Sequence, residues 1–255
     1  MKKHAVGFII LVLLVLCILS ANAQDNKVLV FTRQAMTFDG KHGFIHNNTQ
    51  AAVDTLKKLA AENGFFVDVT EDPAAFTDAN LKKYKVLVFS NTNNQVLDSE
   101  AQQAALQTFI RNGGGFVGIH IATGSMRNWP WFCSMIGGLF DHHPKLQPFT
   151  IKVVDHEHPS TSFLPETWKW EDEFYYHKNM ASDLRILLAG DLAALNDPQK
   201  PTTPDNTYPL AWSRTFEGAR VWYTSLGHKP EYYSDPLFQK HLLGGILWAM
   251  KRRPQ

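Results

Sequence analysis

The sequence predicts an α/β fold, a mainly parallel sheet with helices on both faces. Two observations predict it: short, continuously apolar runs typical of buried parallel strands, and amphipathic helical segments that alternate with them through the first half of the chain. The chain has 255 residues, of which 44% are apolar and 19% charged, which suits one large domain with a full core. We expect residues 24–255 to form that single domain.

The first half alternates strands and helices. Continuous apolar or alternating runs predict four strands, which are Lys27–Thr32, Phe65–Thr70, Val86–Ser90 and Phe116–His120. Apolar residues at helical spacing predict three helical segments, which are Asn47–Asn63, the short Asp78–Tyr84, and a helix that Asp98 caps and that continues through Arg111. Gly64 and Gly113–Gly115 are expected to end the two long helices, because glycine readily adopts the left-handed conformation of a helix end.

The second half is less regular. Its predicted strands are Phe149–Val154, Arg185–Ala189, Leu210–Ser213 and Arg220–Ser225. Ser234 is expected to cap a last helix that continues to about Lys251. The polar, proline-rich segment Gln199–Thr207 is typical of a surface loop and not of a linker, so the one-domain prediction stands.

The first 23 residues have the pattern of a signal peptide. A basic start at Lys2 and Lys3 precedes the apolar run Ala5–Leu19, and Ala21-Asn22-Ala23 has the small residues of a cleavage site. The run is short for a membrane span, although a retained anchor is the alternative. We therefore expect an exported protein, periplasmic or secreted, with no stable membrane span after processing. Cys133 is then the one remaining cysteine and is expected in the core.

Charge and motifs exclude several classes of function. A net charge of +1 is unlike that of a generic nucleic-acid binder, which needs clustered basic residues. Gly113–Gly118 (GGGFVG) has the spacing Gly-x-Gly-x-x-Gly, but these glycines precede and enter a predicted strand, whereas a phosphate loop follows a strand and opens a helix, so we expect no nucleotide. Seven tryptophans and 12% aromatic residues suit a sugar-binding cleft as well as a core.

His120 is the leading candidate for a functional residue. It lies in Gly118-Ile119-His120-Ile121-Ala122, where a buried strand ends in the small-x-x-x-small pattern that presents a reactive side chain on a tight turn. Ligands bind beyond the carboxyl ends of parallel strands. A histidine there can be a base, an acid or a metal ligand, and the alternative is a histidine that only bonds the backbone.

Other histidines and carboxylates also follow predicted strands. His228 and Glu231 share one loop, where the carboxylate can orient the imidazole or form an incidental surface ion pair. His46 lies near the end of the first strand. His142 and His143 are adjacent, so at most one of them is expected to point into a site. The segment Trp170–Tyr176 mixes carboxylates with aromatic rings, which suits a sugar or an acidic turn beside the core.

Motifs in order along nearly the whole chain resemble the ThuA-like (trehalose-utilization) family. They are Asn91-Thr92, Val96–Asp98, Gly113–His120, Trp129–Trp131, His143-Pro144, Asp155–Pro159, Asp172–Tyr175, Leu226–Glu231 and Leu242–Trp248. The resemblance implies a flavodoxin-like fold related to class I glutamine amidotransferases. His120 then occupies the position of the amidotransferase cysteine, which argues against glutamine hydrolysis because that reaction needs the thiolate.

The resemblance also implies a role in the use of trehalose-related disaccharides through 3-oxo sugars. It implies catalytic roles for His120, His228, Glu231, Asp172 and Glu173. The motifs further indicate Asn91, Trp129, Trp131 and Tyr175 as substrate-binding residues. His46, His120, His143 and His228 are candidate ligands of one divalent metal such as zinc.

Two alternatives remain open at this stage. The histidines can act as a metal-free acid and base, and the protein can be a non-catalytic sugar-binding module. Two departures from the family pattern affect the pocket: Gly124-Ser125 stands where members often have an acidic residue, and Gln34–Gly43 is longer than usual.

Overall fold

The computed structural model describes residues 26–34 and 44–252. Its strands are β1 (Lys27–Phe31), β2 (Phe66–Thr70), β3 (Val86–Ser90), β4 (Gly115–Ile119), β5 (Leu139–His142), β6 (Gln147–Val153), β7 (Thr167–Asp172), β8 (Tyr176–Lys178), β9 (Arg185–Asp191), β10 (Thr207–Phe216) and β11 (Ala219–Thr224). Its α-helices are α1 (Thr49–Asn63), α2 (Asp78–Leu81), α3 (Glu100–Arg111), α4 (Pro130–Ile136) and α5 (Pro236–Ala249). The predicted signal peptide and most of the stretch Gln34–Gly43 lie outside the described residues.

Nine strands form one sheet in the order β2-β1-β3-β4-β11-β10-β9-β6-β7. The five strands from β2 to β11 pair in parallel. The remaining pairings, from β11 to β7, are antiparallel. The predicted α/β fold is confirmed, and its parallel half carries the strand-end turns that the sequence singled out. A separate two-stranded sheet pairs β5 with β8.

Helices cover both faces of the parallel half, as predicted. Alternate residues of β1 face opposite sides, since Val30 joins one apolar cluster and Phe31 the other. The first cluster includes Leu56 of α1 and Leu242 of α5. The second includes Leu106 of α3, together with side chains of α2 and α4. Both faces of these strands are therefore buried, which explains their continuously apolar sequences.

Two predicted helix caps are each wrong by one residue. Ser99, and not Asp98, accepts a hydrogen bond from the backbone amide of Gln102, because the Asp98 carboxylate instead pairs with Arg33 at 2.8 Å. Asp235, and not Ser234, caps α5. Cys133 also departs from its prediction, since it is only partly buried on α4. In the described part of the chain, no helix is long and apolar enough to span a membrane.

Candidate functional site

His120 occupies a strained turn at the carboxyl end of β4. Its φ angle of 56° lies in the left-handed region that non-glycine residues rarely adopt. The side chain is fully buried, and its Nδ1 donates a hydrogen bond to the Ser225 carbonyl oxygen at 2.8 Å. The lone pair therefore lies on Nε2, which faces the ends of neighbouring strands. The turn presents His120 as the sequence predicted.

The loop after β11 brings His228 to the same edge of the sheet. Gly227 has a φ angle of 118°, which favours glycine, and its amide donates a hydrogen bond to Asp172 Oδ2 at 2.9 Å. Its carbonyl oxygen accepts a bond from Asn48. These two contacts fix the backbone from which His228 extends, and His228 Nδ1 lies 3.4 Å from His120 Nε2.

Glu173 is the carboxylate at the centre of the site. Its Oε2 lies 3.1 Å from His228 Nδ1 and 3.7 Å from His120 Nε2, while its Oε1 lies 3.5 Å from His143 Nε2. Burial by itself would raise the pKa of Glu173, but the bond to His228 and the neighbouring imidazoles lower the pKa below its ordinary value. In turn, Glu173 outweighs the effect of burial on His228 and raises the pKa of that imidazole.

His46 completes the group from the segment before α1. It is 5% exposed, and its ring centroid lies 4.9 Å from that of His120. Its Nδ1 lies 3.2 Å from Gln34 Oε1, which can only accept a hydrogen bond, so Nε2 carries the lone pair. Burial is the main cause that lowers the pKa of His46, to about 4, and the imidazole is therefore neutral near neutral pH.

We call His46, His120, Glu173 and His228 the histidine–glutamate cluster. One ligand atom from each lies within 4.8 Å of the others, so the group can hold a metal ion. Metal–ligand bonds of about 2.1 Å in a tetrahedral site place ligand atoms about 3.4 Å apart. The distances of 3.1, 3.4 and 3.7 Å among Glu173, His120 and His228 match that value. The donor set of three imidazoles and one carboxylate suits zinc or a similar divalent ion.

His143 lies beside the cluster rather than within it. It is 35% exposed, contacts Glu173, and stacks on the Tyr175 ring with the centroids 5.7 Å apart. His142 instead pairs with Asp141 at 2.8 Å. At most one of the two adjacent histidines was expected to point into a site, and His143 is the one that contacts the cluster. In the candidate metal set, however, the fourth position belongs to Glu173 and not to His143.

Tyr175 lies inside the site. Its hydroxyl donates a hydrogen bond to His120 Nε2 at 2.8 Å, and its ring stacks on His120 with the centroids 4.6 Å apart. Burial raises the pKa of Tyr175 well above its ordinary value, so the hydroxyl keeps its proton. This bond and the bond to Ser225 together occupy both nitrogens of His120 in this structure.

Asp172 is not a member of the cluster. It is fully buried and accepts hydrogen bonds from Trp170 Nε1 and from the backbone amides of Glu173 and Gly227. Burial raises its pKa to about 6 although these three donors oppose the shift. Asp172 therefore positions the two chain segments that carry Glu173 and His228, and it does not face the open side of the site.

The structure separates Glu231 from the cluster, which corrects its expected role as the orienting carboxylate. Glu231 is exposed on the 3-10 helix Pro230–Ser234. The carboxylate that pairs with His228 is Glu173. The physical reason is the tight turn that begins at Pro230, which follows the loop and leaves the Glu231 side chain in solvent.

The predicted substrate-binding residues Trp129, Trp131 and Asn91 also need correction. Trp131 Nε1 donates a hydrogen bond to Glu217 in the β10–β11 turn, which lies at the other end of β11 from His228. Trp129 packs on Trp131. Asn91 is fully buried at the end of β3, where its amide oxygen accepts a hydrogen bond from Asn48 at 3.0 Å. All three side chains support the fold around the site.

Sequence reasoning missed several residues that shape the site. They are Gln34, Phe44, Asn48 and Tyr223. Tyr223 donates a hydrogen bond to the His120 carbonyl oxygen at 2.7 Å and so holds the strained turn. Gly124, one of the departures from the family pattern, is closely packed, because an added Cβ would lie 2.8 Å from Asn93 Oδ1 and that side chain would have to shift. No motif or spacing in the sequence indicates these contacts.

The fold and the site together define the class of protein. The protein has an amidotransferase-like α/β fold whose strand-end turn presents a histidine instead of a thiol, next to a second histidine and a carboxylate. The family model described as trehalose utilisation (ThuA) matches residues 27–249, and the chain belongs to that family. The predicted family is confirmed.

Solved structures agree with this assignment. A protein described as ThuA-like from Bacteroides uniformis is 26% identical, with a TM-score of 0.71, over 88% of this chain and 91% of that one. A protein described as ThuA-like from Parabacteroides merdae is 22% identical, with a TM-score of 0.71, over 90% and 91%. The fold also occurs in a β-galactosidase from Bacillus circulans, with 12% identity and a TM-score of 0.55, over 90% of this chain and 32% of that enzyme. A search of curated proteins gives no match.

Proposed function

We propose that the protein is an exported enzyme that acts on 3-oxo disaccharides or glycosides related to trehalose. The single observation that carries the enzymatic part is the histidine–glutamate cluster, which gathers three imidazoles and a carboxylate at the strand ends where ligands bind. The sugar class follows from the family, whose description is trehalose utilisation. Export rests on the signal-peptide pattern of residues 1–23.

The chemistry of a 3-oxo sugar explains why such a cluster would be useful. The carbonyl at C3 acidifies the proton on C2, so a base can remove it and the electron pair is held as an enolate on the C3 oxygen. When the carbonyl re-forms, the C1–O bond breaks, a C1–C2 double bond forms, and an acid protonates the departing oxygen. Water then adds across that double bond, with oxygen on C1 and a proton on C2. The sequence needs a base, an acid and a group that stabilises the enolate.

The cluster fits a divalent metal such as zinc. The candidate ligand atoms of His46 and His120 are their Nε2 atoms, and that of His120 accepts a hydrogen bond from Tyr175 that a metal ion would replace. Burial lowers the pKa of both imidazoles, which keeps them in the neutral form that metal ligation requires. A bound ion would supply the electrophile that stabilises an enolate oxygen. His46, His120, Glu173 and His228 would hold it.

His143 is the proposed proton-transfer residue. Its ring is 35% exposed. Its Nδ1 donates a hydrogen bond to the Pro144 carbonyl oxygen at 2.8 Å, which orients the ring, and its Nε2, the nitrogen left for proton transfer, lies 3.5 Å from Glu173. The Tyr175 hydroxyl keeps its proton, which it donates to His120 Nε2 in this structure. With a metal ion on that nitrogen, the hydroxyl would be free to donate to a sugar oxygen, and we propose it for that role. In the metal-free alternative, His120 and His228 are the acid and base themselves.

A second candidate function is a sugar-binding module without catalysis. One observation favours it: both nitrogens of His120 are occupied by partners within the protein, Ser225 and Tyr175. That arrangement would also serve a purely structural histidine.

The test is incubation of the mature chain with 3-oxo-trehalose, trehalose and a panel of other 3-oxo glycosides, followed by mass spectrometry. We expect the 3-oxo disaccharide to be consumed and trehalose to remain intact. His143→Ala should lose most of the turnover, while the matched exposed variant His156→Ala should retain it. Binding without turnover for every sugar would establish the module instead.

A further inference from the structure

Phe44 and Ile45 are two consecutive apolar side chains that project into solvent beside the cluster. Phe44 is 65% exposed and Ile45 is 64% exposed, which makes them the most exposed large apolar side chains among the described residues. Such exposure in adjacent residues is unfavourable unless a ligand covers them. Their position, one and two residues before His46, places them at the edge of the site.

The Phe44 ring is oriented by two histidines of the cluster. It lies nearly parallel to the His228 ring, with an interplanar angle of 23° and the centroids 5.9 Å apart. It meets the His46 ring edge-on, with the centroids 4.8 Å apart. These contacts fix the orientation of the Phe44 ring, and most of its surface stays open to solvent.

We propose that Phe44 is a sugar-stacking residue that binds the non-reacting ring of a disaccharide. The apolar C–H face of a pyranose packs favourably on an exposed aromatic ring. Because the Phe44 and His228 ring centroids lie 5.9 Å apart, a sugar ring on the open face of Phe44 would lie next to the cluster, within reach for the adjoining ring of a disaccharide. This inference rests on the proposed function, and it deepens that function by assigning the site a preference for disaccharides over glycosides with a small leaving group.

The test compares a 3-oxo disaccharide with the corresponding 3-oxo methyl glycoside, in wild type and in Phe44→Ala. We expect Phe44→Ala to raise the KM for the disaccharide about three- to tenfold, with kcat nearly unchanged and little effect on the methyl glycoside. Phe44→Trp should restore the lower KM. Phe66→Ala is the matched control, because Phe66 is 57% exposed but pairs with Lys27 at the opposite edge of the sheet.

Calorimetric binding of the same sugars separates this inference from the proposed function. If no sugar is turned over but disaccharide binding weakens in Phe44→Ala and not in Phe66→Ala, the stacking role stands and the enzymatic proposal falls. If turnover occurs with the same KM in Phe44→Ala as in wild type, the stacking role falls and the enzymatic proposal stands. Absence of both turnover and binding overturns both.

Discussion

The Asp172 carboxylate accepts a hydrogen bond from the Gly227 amide at 2.9 Å, across the strand-end edge of the sheet. The next residue on each side of this bond is a member of the cluster: Glu173 follows Asp172, and His228 follows Gly227. One buried hydrogen bond therefore sets the distance between two candidate metal ligands, which lie 3.1 Å apart.

Replacing Asp172 with Asn should disturb this alignment. The amide has one acceptor oxygen, whereas the carboxylate accepts bonds from three donors, so at least one buried donor loses its partner. We expect activity to fall about 10- to 100-fold, with weaker metal affinity, and stability to fall about 1–3 kcal/mol. Kinetics, metal titration and chemical denaturation measure these effects. Asp141→Asn, at an exposed carboxylate, is the control, and wild-type metal affinity in Asp172→Asn would contradict the positioning role.

The metal itself is the second prediction. Protein purified without an affinity tag should contain about one equivalent of a divalent ion, and a chelator should abolish both the ion and the activity. Removing one ligand in His46→Ala or Glu173→Gln should reduce the bound metal sharply. Trp131→Ala, which alters the contact with the β10–β11 turn, should leave it unchanged. Full activity in metal-free protein would instead support His120 and His228 as plain acid and base.

The third prediction contrasts His120 with Cys133. His120→Gln removes a buried group that contacts Glu173, His228 and Tyr175, and we expect activity to fall at least about 100-fold. Cys133→Ser should be nearly silent, because the hydrogen-bond partners of its sulfur are the backbone carbonyl oxygens of Met126 and Arg127, which a serine hydroxyl can also bond. Activity assays on both variants test this contrast. A Cys133→Ser variant that folds normally but is inactive would show that Cys133, and not His120, is the essential residue.

The fourth prediction concerns acid stability and uses a histidine remote from the site. Burial lowers the pKa of His241 to about 4, below its ordinary value of 6.5. Between pH 6.5 and pH 4, the unfolded chain therefore binds a proton at this histidine that the folded chain does not bind. The free energy of unfolding is at its full value above pH 6.5 and decreases as the pH falls toward 4. Between pH 7.5 and pH 5, this histidine should cost about 2 kcal/mol of unfolding free energy.

The variant His241→Gln tests this. Gln does not titrate, so the loss of stability between pH 7.5 and pH 5 should shrink by about 2 kcal/mol relative to wild type. Denaturant unfolding at the two pH values measures the difference, and an unchanged difference would show that His241 titrates normally. His156→Gln, at an exposed histidine, is the control.

The sequence predicts the parallel half of the fold well, because strands buried on both faces must be continuously apolar. It predicts the other half less well. β7, with the sequence TWKWED, alternates between exposed and buried side chains, yet the composition of Trp170–Tyr176 indicates only a sugar-binding segment or an acidic turn beside the core, and not a strand. That alternation puts Asp172 at a buried position beside Trp168 and Trp170, which is why it positions the backbone instead of facing a ligand.

The candidate site could be predicted only in part. The amidotransferase-like topology that the family resemblance implies brings the ends of the strands before His120 and His228 together, and the two imidazoles lie 3.4 Å apart. Whether Glu231 or Glu173 is the carboxylate that pairs with His228 depends on where β7 ends relative to β4 and β11. That position is set by tertiary packing and not by local sequence. Trp129 and Trp131 follow the His120 turn in sequence, but they lie at the start of α4, where Trp131 contacts the β10–β11 turn.

The histidine–glutamate cluster draws its members from four chain segments that meet only in the finished sheet. His46 precedes α1, and His228 follows β11, the last strand along the chain. Closing such long loops in an unfolded chain has an entropic cost, which formation of the sheet offsets. A nascent chain that ends before β11 contains no cluster. An ion that binds there is acquired late, by an almost complete chain, and it would stabilise the whole domain against unfolding rather than one loop.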